Sequence, residues 1–405
     1  MTIWNDPITF LGDLLIDLLD SVVAFLNLPT GTTGLIIDLI GVTIVASFGL
    51  LLVMLLTWLE RKVAARFQDR IGPNRAGPYG LLQAVADMIK MITKEDITPR
   101  GADKIPFNIA PILGVVSVIL IWAVIPFSKN WFGADLNVGV LYIAAVGSFG
   151  VLSILMAGWA SNNKYALLGA FRSVAQLISY EVPLFLALLI PVLLARTMSI
   201  NGIIEAQDVW FVILAPLPAL LFFISSLAEI GRTPFDLLDA ESEIVAGFHI
   251  EYTGMKFGMF MAGEFLHAFT ISVLTAILFF GGWRGPGAEV YPVLGLIYLM
   301  AKSFFFYFLV MWIRSTLPRI RIDHMLAFNW KFLTPLSMLL LIVTALIEKG
   351  FEASDLRIPA LLGANAIIFV AVLQILRVTT ARSEKQLQTF EPRPVAVPPA
   401  EEASA

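Results

Sequence analysis

The 405-residue sequence contains no cysteine and only three histidines, His249, His267 and His324, which lie far apart. A disulfide framework, a cysteine-based zinc site and a cysteine-ligated iron–sulfur cluster are therefore excluded, and we predict no metal site. The sequence also lacks a glycine-rich phosphate loop, which argues against nucleotide binding. Its net charge of −4 gives no reason to expect a nucleic-acid partner. Any electron transfer must then occur on a bound molecule or in another subunit.

Charged residues are scarce, at 14% of the chain, whereas hydrophobic residues make up 58% and the mean hydropathy is +0.83. Soluble domains carry about 25% charged residues. A membrane-crossing helix needs about 20 apolar residues, because the hydrocarbon core is about 30 Å thick. The sequence therefore predicts an all-α integral membrane protein of about nine transmembrane helices. The predicted segments are 35–59, 107–127, 137–160, 173–195, 209–229, 257–281, 293–313, 330–347 and 358–378. Prolines inside them, such as Pro216 and Pro218, predict kinks.

The two ends differ from this polytopic domain, which we place at residues 35–380. Residues 1–34 carry four aspartates among apolar residues and no basic start, which predicts an amphipathic interfacial segment and no cleaved signal peptide. Residues 381–405 are rich in Glu, Pro and Ala and predict a disordered tail.

The distribution of lysine and arginine predicts the orientation of the helices. Of 27 such residues, 21 lie in alternate loops and the C-terminal tail, five lie in the opposite loops and Lys302 lies inside a span. By the positive-inside rule, the side with 21 faces the cytoplasm.

The first cytoplasmic loop, from Glu60 to Asp96, is more polar and more specific in composition than a connector needs to be. Taken alone, the basic residues of this loop are best interpreted as simple anchors next to the membrane, as the positive-inside rule predicts. The turn-forming sequence GPNRAGP at 72–78 predicts a rigid connection. Apolar residues then follow at helical spacing, which predicts an amphipathic helix on the cytoplasmic surface. They are Leu81, Leu82, Val85, Met88, Ile89 and Ile92.

Three carboxylates, Glu181, Glu229 and Glu264, fall within or at the end of predicted spans. A charge at membrane depth costs at least ~2.5 kcal/mol, so such residues normally face protein or water and often carry protons. We therefore predict a polar path that is approached from one side. The alternative is a set of static ion pairs, Glu264 with Lys302 and Glu181 with Arg172 or Arg232.

The histidines carry weaker signals than these acids. His267 lies one turn after Glu264, where a packed histidine is more common than a proton relay. We expect His249 and His324 to be solvated loop residues.

These features support two hypotheses. One is a membrane subunit that couples an event at the cytoplasmic side to proton movement through buried carboxylates. The other is a secondary transporter whose acids bind a cation. A transporter would usually show corresponding broken segments in two halves. The polar residues here concentrate on one side, which favours docking of a cytoplasmic partner.

At its polar loops the chain resembles a membrane-subunit family of respiratory complex I, the NADH-quinone oxidoreductase, whose bacterial members are its H subunits. The resemblance covers about residues 35–380 and rests on the hydropathy pattern between four sequence blocks. The blocks are WLERKVAARFQDRIGPNRAGPYGLLQAVAD, GWASNNKYALLGAFRSVAQLISYEVP, LAEIGRTPFDLLDAESEIVAGFHIEYTGMKF and LPRIRIDHMLAFNWKFLTPLS.

The resemblance implies a fold of eight helices, to which this chain adds a C-terminal one, and a role beside the quinone-binding chamber. By analogy the residues that line or support the chamber are Arg61, Arg66, Gln68, Arg75, Asp87, Phe235 and Asp236. The acidic path of the family maps onto Glu181, Glu229, Glu241, Glu243 and Glu264, with Arg172, Arg232 and Lys302 as supporting cations.

The same resemblance implies the partners and the location. The bound substrate would be ubiquinone or menaquinone, and FMN and iron–sulfur clusters would lie only in partner subunits. The partners would be the hydrophilic-arm subunits around the chamber, the adjacent small membrane subunits and the lipid bilayer. The chain would be a multi-pass protein of the bacterial inner membrane. The alternative is the homologous membrane subunit of a membrane-bound hydrogenase or ferredoxin-linked complex.

Overall fold

A computed structural model describes residues 32–129, 131–237, 245–351 and 356–388, and within these ranges the chain forms helices and no β-strand. The helices of the first half are α1 (Thr32–Phe67), α2 (Gln83–Thr93), α3 (Lys104–Trp122), α4 (Gly139–Ala160), α5 (Lys164–Ala195) and α6 (Ile200–Glu205). Those of the second half are α7 (Phe211–Leu214), α8 (Pro216–Ile230), α9 (Gly254–Phe280), α10 (Pro292–Thr316), α11 (Ile322–Phe328), α12 (Thr334–Gly350) and α13 (Arg357–Gln388).

Eight helical segments are long and apolar enough to cross a bilayer, and the shorter apolar helix α8 is the ninth element of this kind among the described residues. Helices α11 and α12 form one of these segments, because a π-helical turn at Asn329–Leu333 joins them. The prediction of an all-α membrane protein with about nine such helices is confirmed. Helix α1 continues eight residues past its predicted end at residue 59. Arg61 and Arg66 therefore lie on its last turns.

The predicted span 209–229 is broken in two. Helix α7 ends at Leu214, and α8 starts at Pro216 after Ala215 leaves helical geometry. Pro218 has no N–H to offer the carbonyl of Leu214 four residues earlier. The buried side chain of Asn365, on α13, donates to that carbonyl at 3.2 Å. A neighbouring helix thus supplies the hydrogen bond that the break removes, as membrane interiors require.

The predicted surface helix is α2, and no residue in it is buried. Its apolar residues Met88, Ile89 and Ile92 are each more than 40% exposed, whereas Asp87 makes polar contacts on another side. This division confirms the amphipathic character predicted from the sequence.

Helix α9 lies at the centre of the bundle. Its 12 residues from Ala268 to Phe279 are all buried, and it packs against α1, α3, α8 and α10. The hydroxyls of Thr270, Ser272 and Thr275 donate to carbonyls of their own helix, and the Thr270 hydroxyl also accepts a hydrogen bond from Nε1 of Trp122 on α3 at 2.7 Å. Glu264 and His267 precede it on the same helix.

Two predicted terminal regions fall largely beyond the described residues. Of the N-terminal segment 1–34, residues 1–31 lie outside them. Of the tail 381–405, helix α13 includes the residues to Gln388, and 389–405 lie outside.

Candidate functional site

Glu181, Glu229, Glu264 and His267 all line one cavity of about 120 Å³, which we call the acid cavity. The four side chains come from three elements, α5, α8 and α9. Glu229 is the penultimate residue of α8, so the end of the broken helix brings it opposite His267. The structure therefore brings together the three membrane carboxylates that the sequence singled out.

A second cavity, of about 420 Å³, shares Glu181, Glu229 and His267 with the acid cavity and extends between α4 and α5. Its other lining residues are mostly apolar and include Phe185 and Leu274. Glu181, Glu229 and His267 thus stand where two largely apolar cavities meet.

The acids of the cavity have different partners. Nε2 of His267 lies 3.7 Å from Oε1 of Glu229, and both side chains are about one-fifth exposed. Among the described residues, no cation lies within ion-pair distance of Glu181. The pairings of Glu181 with Arg172 or Arg232 that the sequence allowed are not observed. Arg172 lies half-buried on α5, roughly 14 Å along the helix before Glu181.

Arg232 is the buried cation of the site. It follows α8 directly, its Nη1 lies 3.1 Å from Oε1 of Glu60, and its Nη2 lies 3.2 Å from Oε1 of Glu264. Its guanidinium also stands 4.9 Å from the ring centre of Phe265. Arg232 therefore links the end of α1 to the acid cavity.

Glu60 is a site residue that the sequence did not identify. It is 9% exposed, accepts a hydrogen bond from the Tyr307 hydroxyl at 3.3 Å and pairs with Arg314 as well as Arg232. Sequence reasoning assigned it to the first residue of a loop. The helix continues to Phe67, so Glu60 is a buried acid within a helix that is long and apolar enough to cross a bilayer.

Beyond Glu60, the end of α1 and the GPNRAGP segment form an open cleft of about 780 Å³. We call it the basic cleft, since Arg61, Arg70 and Arg75 line it with no acidic residue among its lining. Arg61 also donates to Asp87 at 2.5 Å, which fixes α2 against α1. Burial alone would raise the pKa of Asp87, but the hydrogen bond and charge of Arg61 outweigh it and lower that pKa.

Of the residues predicted for the chamber, some line this cleft, some contact its lining residues and others lie elsewhere. Gln68 accepts a hydrogen bond from Nε of Arg70 at 2.6 Å and so orients one of the lining arginines. Arg66 is exposed on the last turn of α1. Arg61 and Arg75 are the two predicted residues that line the cleft, and Asp87 holds Arg61.

Phe235 and Asp236 lie in the segment that follows Arg232. Phe235 is 4% exposed, its ring centre is 5.4 Å from that of Tyr180, and its carbonyl accepts a hydrogen bond from Gln176. It therefore packs inside the bundle, and Asp236 beside it is half-buried. The predicted path residues Glu241 and Glu243 lie outside the described residues.

Lys302 does not pair with Glu264, so the static ion pair that the sequence left open as an alternative is not observed. Its Nζ donates to the carbonyls of Phe280, Gly282 and Arg284 at 2.8, 2.9 and 3.0 Å. The last carbonyls of a helix have no helical donors and attract cations. Phe280 lies roughly 24 Å along α9 from Glu264, so Lys302 caps the far end of that helix.

His249 was also predicted to be solvated, and this was wrong. It lies in a 3₁₀ turn, half-buried, with its ring centre 5.2 Å from that of Phe248 and 5.3 Å from that of Phe257. This burial lowers the pKa of His249. In the described part of the chain, no group of three histidines and acids could hold a metal ion.

Comparison with known proteins identifies the family. The family model described as NADH dehydrogenase matches residues 40–345. The chain belongs to the NADH dehydrogenase family. It is 48% identical over 336 residues to the H subunit of the NADH-quinone oxidoreductase of Dehalococcoides mccartyi (strain CBDB1), which covers 83% of this chain and 93% of that relative.

Further relatives come from other bacteria. The second H subunit of the NADH-quinone oxidoreductase of Syntrophobacter fumaroxidans is 45% identical over 323 residues, covering 77% of this chain and 96% of the relative. The H subunit of the Brevibacillus brevis NADH-quinone oxidoreductase is 46% identical over 293 residues, covering 72% and 87%. The matched family region contains the acid cavity, Arg232, Glu60 and the basic cleft, whereas α13 follows it. The resemblance stated from the sequence is confirmed.

Chemically, the arrangement suits proton exchange inside a membrane. Neighbouring carboxylates and an imidazole in a poorly hydrated space share protons, because each charge changes the proton affinity of the next. At the edge of this space, Glu60 pairs with the cations Arg232 and Arg314.

Proposed function

We propose that this chain is the H subunit, a membrane subunit, of a bacterial proton-pumping NADH-quinone oxidoreductase. In this role it helps to form the quinone-binding chamber and couples quinone reduction to proton translocation. Its location would be the inner membrane, with the basic cleft towards the cytoplasm. The excess of lysine and arginine in the loops on that side supports this orientation.

One observation carries the proposal: the two ion pairs of Arg232 connect Glu60, the neighbour of Arg61 in the sequence, with the acid cavity. Arg61 lines the cleft, and the adjacent Glu60 pairs with Arg232. Arg232 pairs in turn with Glu264, which lines the acid cavity with Glu229. A change of charge in the cleft therefore has a short, poorly solvated route to the membrane acids, where electrostatic interactions are strong.

In the proposed cycle, ubiquinone or menaquinone is the substrate, and a headgroup that accepts electrons near the cleft also takes up protons. The chain has no cysteine, so the electrons would come from FMN and iron–sulfur clusters in partner subunits. Those partners would be the hydrophilic-arm subunits that cover the basic cleft. The adjacent small membrane subunits would receive the signal from the acid cavity.

The test is Glu229→Gln in the assembled complex. We expect it to abolish most quinone reduction and proton pumping, because glutamine keeps the size of the side chain and cannot exchange a proton. Electron transfer from NADH to a soluble acceptor should be unchanged, and copurification of the membrane subunits with the hydrophilic ones shows that the complex has assembled. Glu289→Gln is the matched control, since Glu289 is an exposed acid away from both cavities. Normal pumping in an assembled Glu229→Gln complex would refute the coupling role.

The alternative considered from the sequence, a subunit of a membrane-bound hydrogenase or ferredoxin-linked complex, has less support. The three bacterial relatives are all called NADH-quinone oxidoreductase subunits. Identification of the subunits that copurify with this chain distinguishes the two complexes directly.

A further inference from the structure

A groove of about 310 Å³ lies away from both the acid cavity and the basic cleft, where the end of α2 meets the first turns of α3 and α9. We call it the methionine groove. Its lining residues are Met91, Ile92, Lys94, Asp96, Asn108, Pro111, Ile112, Met255, Lys256 and Met259.

The charged residues of the methionine groove lie at one end of it. Lys94, Asp96 and Lys256 lie at the level where the helices begin. Met259 and Ile112 lie five and eight residues inside α9 and α3, which places them roughly 8 and 12 Å deeper. This is the order of the headgroup and acyl regions of a lipid leaflet.

The polar end of the groove is rigidly built. The Thr253 hydroxyl accepts a hydrogen bond from the N–H of Ile97 at 3.1 Å, and Lys256 pairs with Asp96 at 2.9 Å. Gly254 has a positive φ of 57°, and a Cβ there would stand 3.4 Å from the carbonyl oxygen of Met91. These contacts hold the segment after α2 against the start of α9.

Of the two lysines at the polar end of the groove, one pairs with a carboxylate and, in the ranges that the structure describes, the other does not. Asp96 neutralises Lys256, whereas Lys94 is exposed and, among the described residues, has no ion pair. The groove therefore offers two cations against one anion. Juxtamembrane lysines of this kind attract anionic lipid headgroups.

The apolar end opens onto a track along the surface of α3. Ile112 of the groove continues the exposed series Ile105, Ile109, Val116 and Leu120, whose spacing of three or four residues forms one helix face. Methionine side chains adapt to irregular apolar chains because they are unbranched and polarisable. An acyl chain that enters the groove between Met91 and Met255 can thus continue along α3.

We propose that the methionine groove binds one anionic glycerophospholipid. Its phosphate contacts Lys94 and Lys256, and one acyl chain lies between the methionines and along α3. The groove is separate from the proposed quinone-side cleft and would anchor α2, whose last turn forms one wall. This inference does not depend on the proposed quinone chemistry.

The experiment uses the assembled complex in nanodiscs that contain a phosphatidylglycerol with a diazirine in its acyl chain. A parallel sample contains a phosphatidylcholine with the same diazirine. After irradiation, mass spectrometry locates the labelled peptides. We expect phosphatidylglycerol to label the peptides around Met91 and Met255 about five-fold more than phosphatidylcholine does, the ratio that corresponds to ~1 kcal/mol per surface lysine.

Two variants and one control test the contacts. Lys94→Gln should lower phosphatidylglycerol labelling to the level of phosphatidylcholine. Met255→Trp should reduce labelling by both lipids, because the indole fills the groove; Met255 is 47% exposed, so the larger side chain can be accommodated. The control Lys129→Gln removes an exposed lysine from a loop on the side predicted to face away from the cytoplasm, and it should leave the labelling by both lipids unchanged.

Three results would overturn the proposal. Equal labelling by the two lipids would show an ordinary lipid-facing surface. No labelling by either lipid would show that another subunit fills the groove. Loss of the label when an isoprenoid quinone is added would assign the groove to quinone.

Discussion

Arg232 and Glu60 lie 172 positions apart in the sequence, yet Nη1 of the arginine is 3.1 Å from Oε1 of the glutamate, and both residues are less than 10% exposed. Removing one partner of a buried ion pair generally costs about 3–5 kcal/mol, since the other charge stays buried. Glu60 keeps Arg314 and Tyr307 as partners, which reduces this cost.

Arg232→Met should therefore destabilise the complex by about 3 kcal/mol, at the lower end of that range, and reduce quinone reduction. Thermal unfolding and turnover measure the two effects. Arg284→Met is the control, because Arg284 pairs with the exposed Asp208 and such pairs contribute about 0–1 kcal/mol. A double-mutant cycle that combines Arg232→Met with Glu264→Gln gives the interaction free energy between the two residues. A value near zero would show that Arg232 and Glu264 act independently.

Asn365→Leu should destabilise the packing of α13 on the broken helix. It removes the donor to the Leu214 carbonyl and leaves that oxygen without its partner in an apolar environment. Interhelical hydrogen bonds in membranes contribute on average about 0.6 kcal/mol and up to about 1.7 kcal/mol. Denaturant titration of the purified complex measures the loss. Gln374→Leu, at an exposed position of the same helix, should have no comparable effect.

Gly80→Ala should disrupt the loop that shapes the basic cleft. Gly80 has φ 76°, and an added Cβ would stand 2.1 Å from the carbonyl oxygen of Pro73. Backbone must move to relieve this overlap, so we expect a several-fold higher KM for quinone in complexes that still assemble. Gly41→Ala, with no atom within 4 Å of the added Cβ, should leave the KM unchanged. An unchanged KM for Gly80→Ala would separate the cleft from quinone binding.

The contact between α2 and α1 should weaken in acid. The pKa of Asp87 is lower than its ordinary value of 3.8, so its carboxylate stabilises the folded contact above that pH and loses this effect as the pH falls below it. Hydrogen exchange of α2, corrected for intrinsic rates, should rise as the pH decreases from 5 to 3. Asp87→Asn should show faster exchange at pH 5 and little further pH dependence.

The sequence predicted the helical class and the main acids because length, hydropathy and buried charge act locally. It singled out Glu181, Glu229 and Glu264 but left a pairing of Glu264 with Lys302 open as an alternative, because a lysine side chain can reach an acid or a helix end and hydropathy does not distinguish the two. Glu60 was missed because the end of α1 continues into polar sequence. The break before Pro216 was predicted as a kink, whereas its partner Asn365 lies 151 positions from Leu214, beyond the reach of local rules.

The capping of α9 by Lys302 limits how the helix can move. Three hydrogen bonds from Lys302 and two more through Gln207 fix its final turn and the following glycines. Sliding along the helix axis would break all five together, whereas bending near Glu264 breaks none of them. A bend near Glu264 would therefore displace the acidic end of α9 sideways while the end held by Lys302 and Gln207 stays in place.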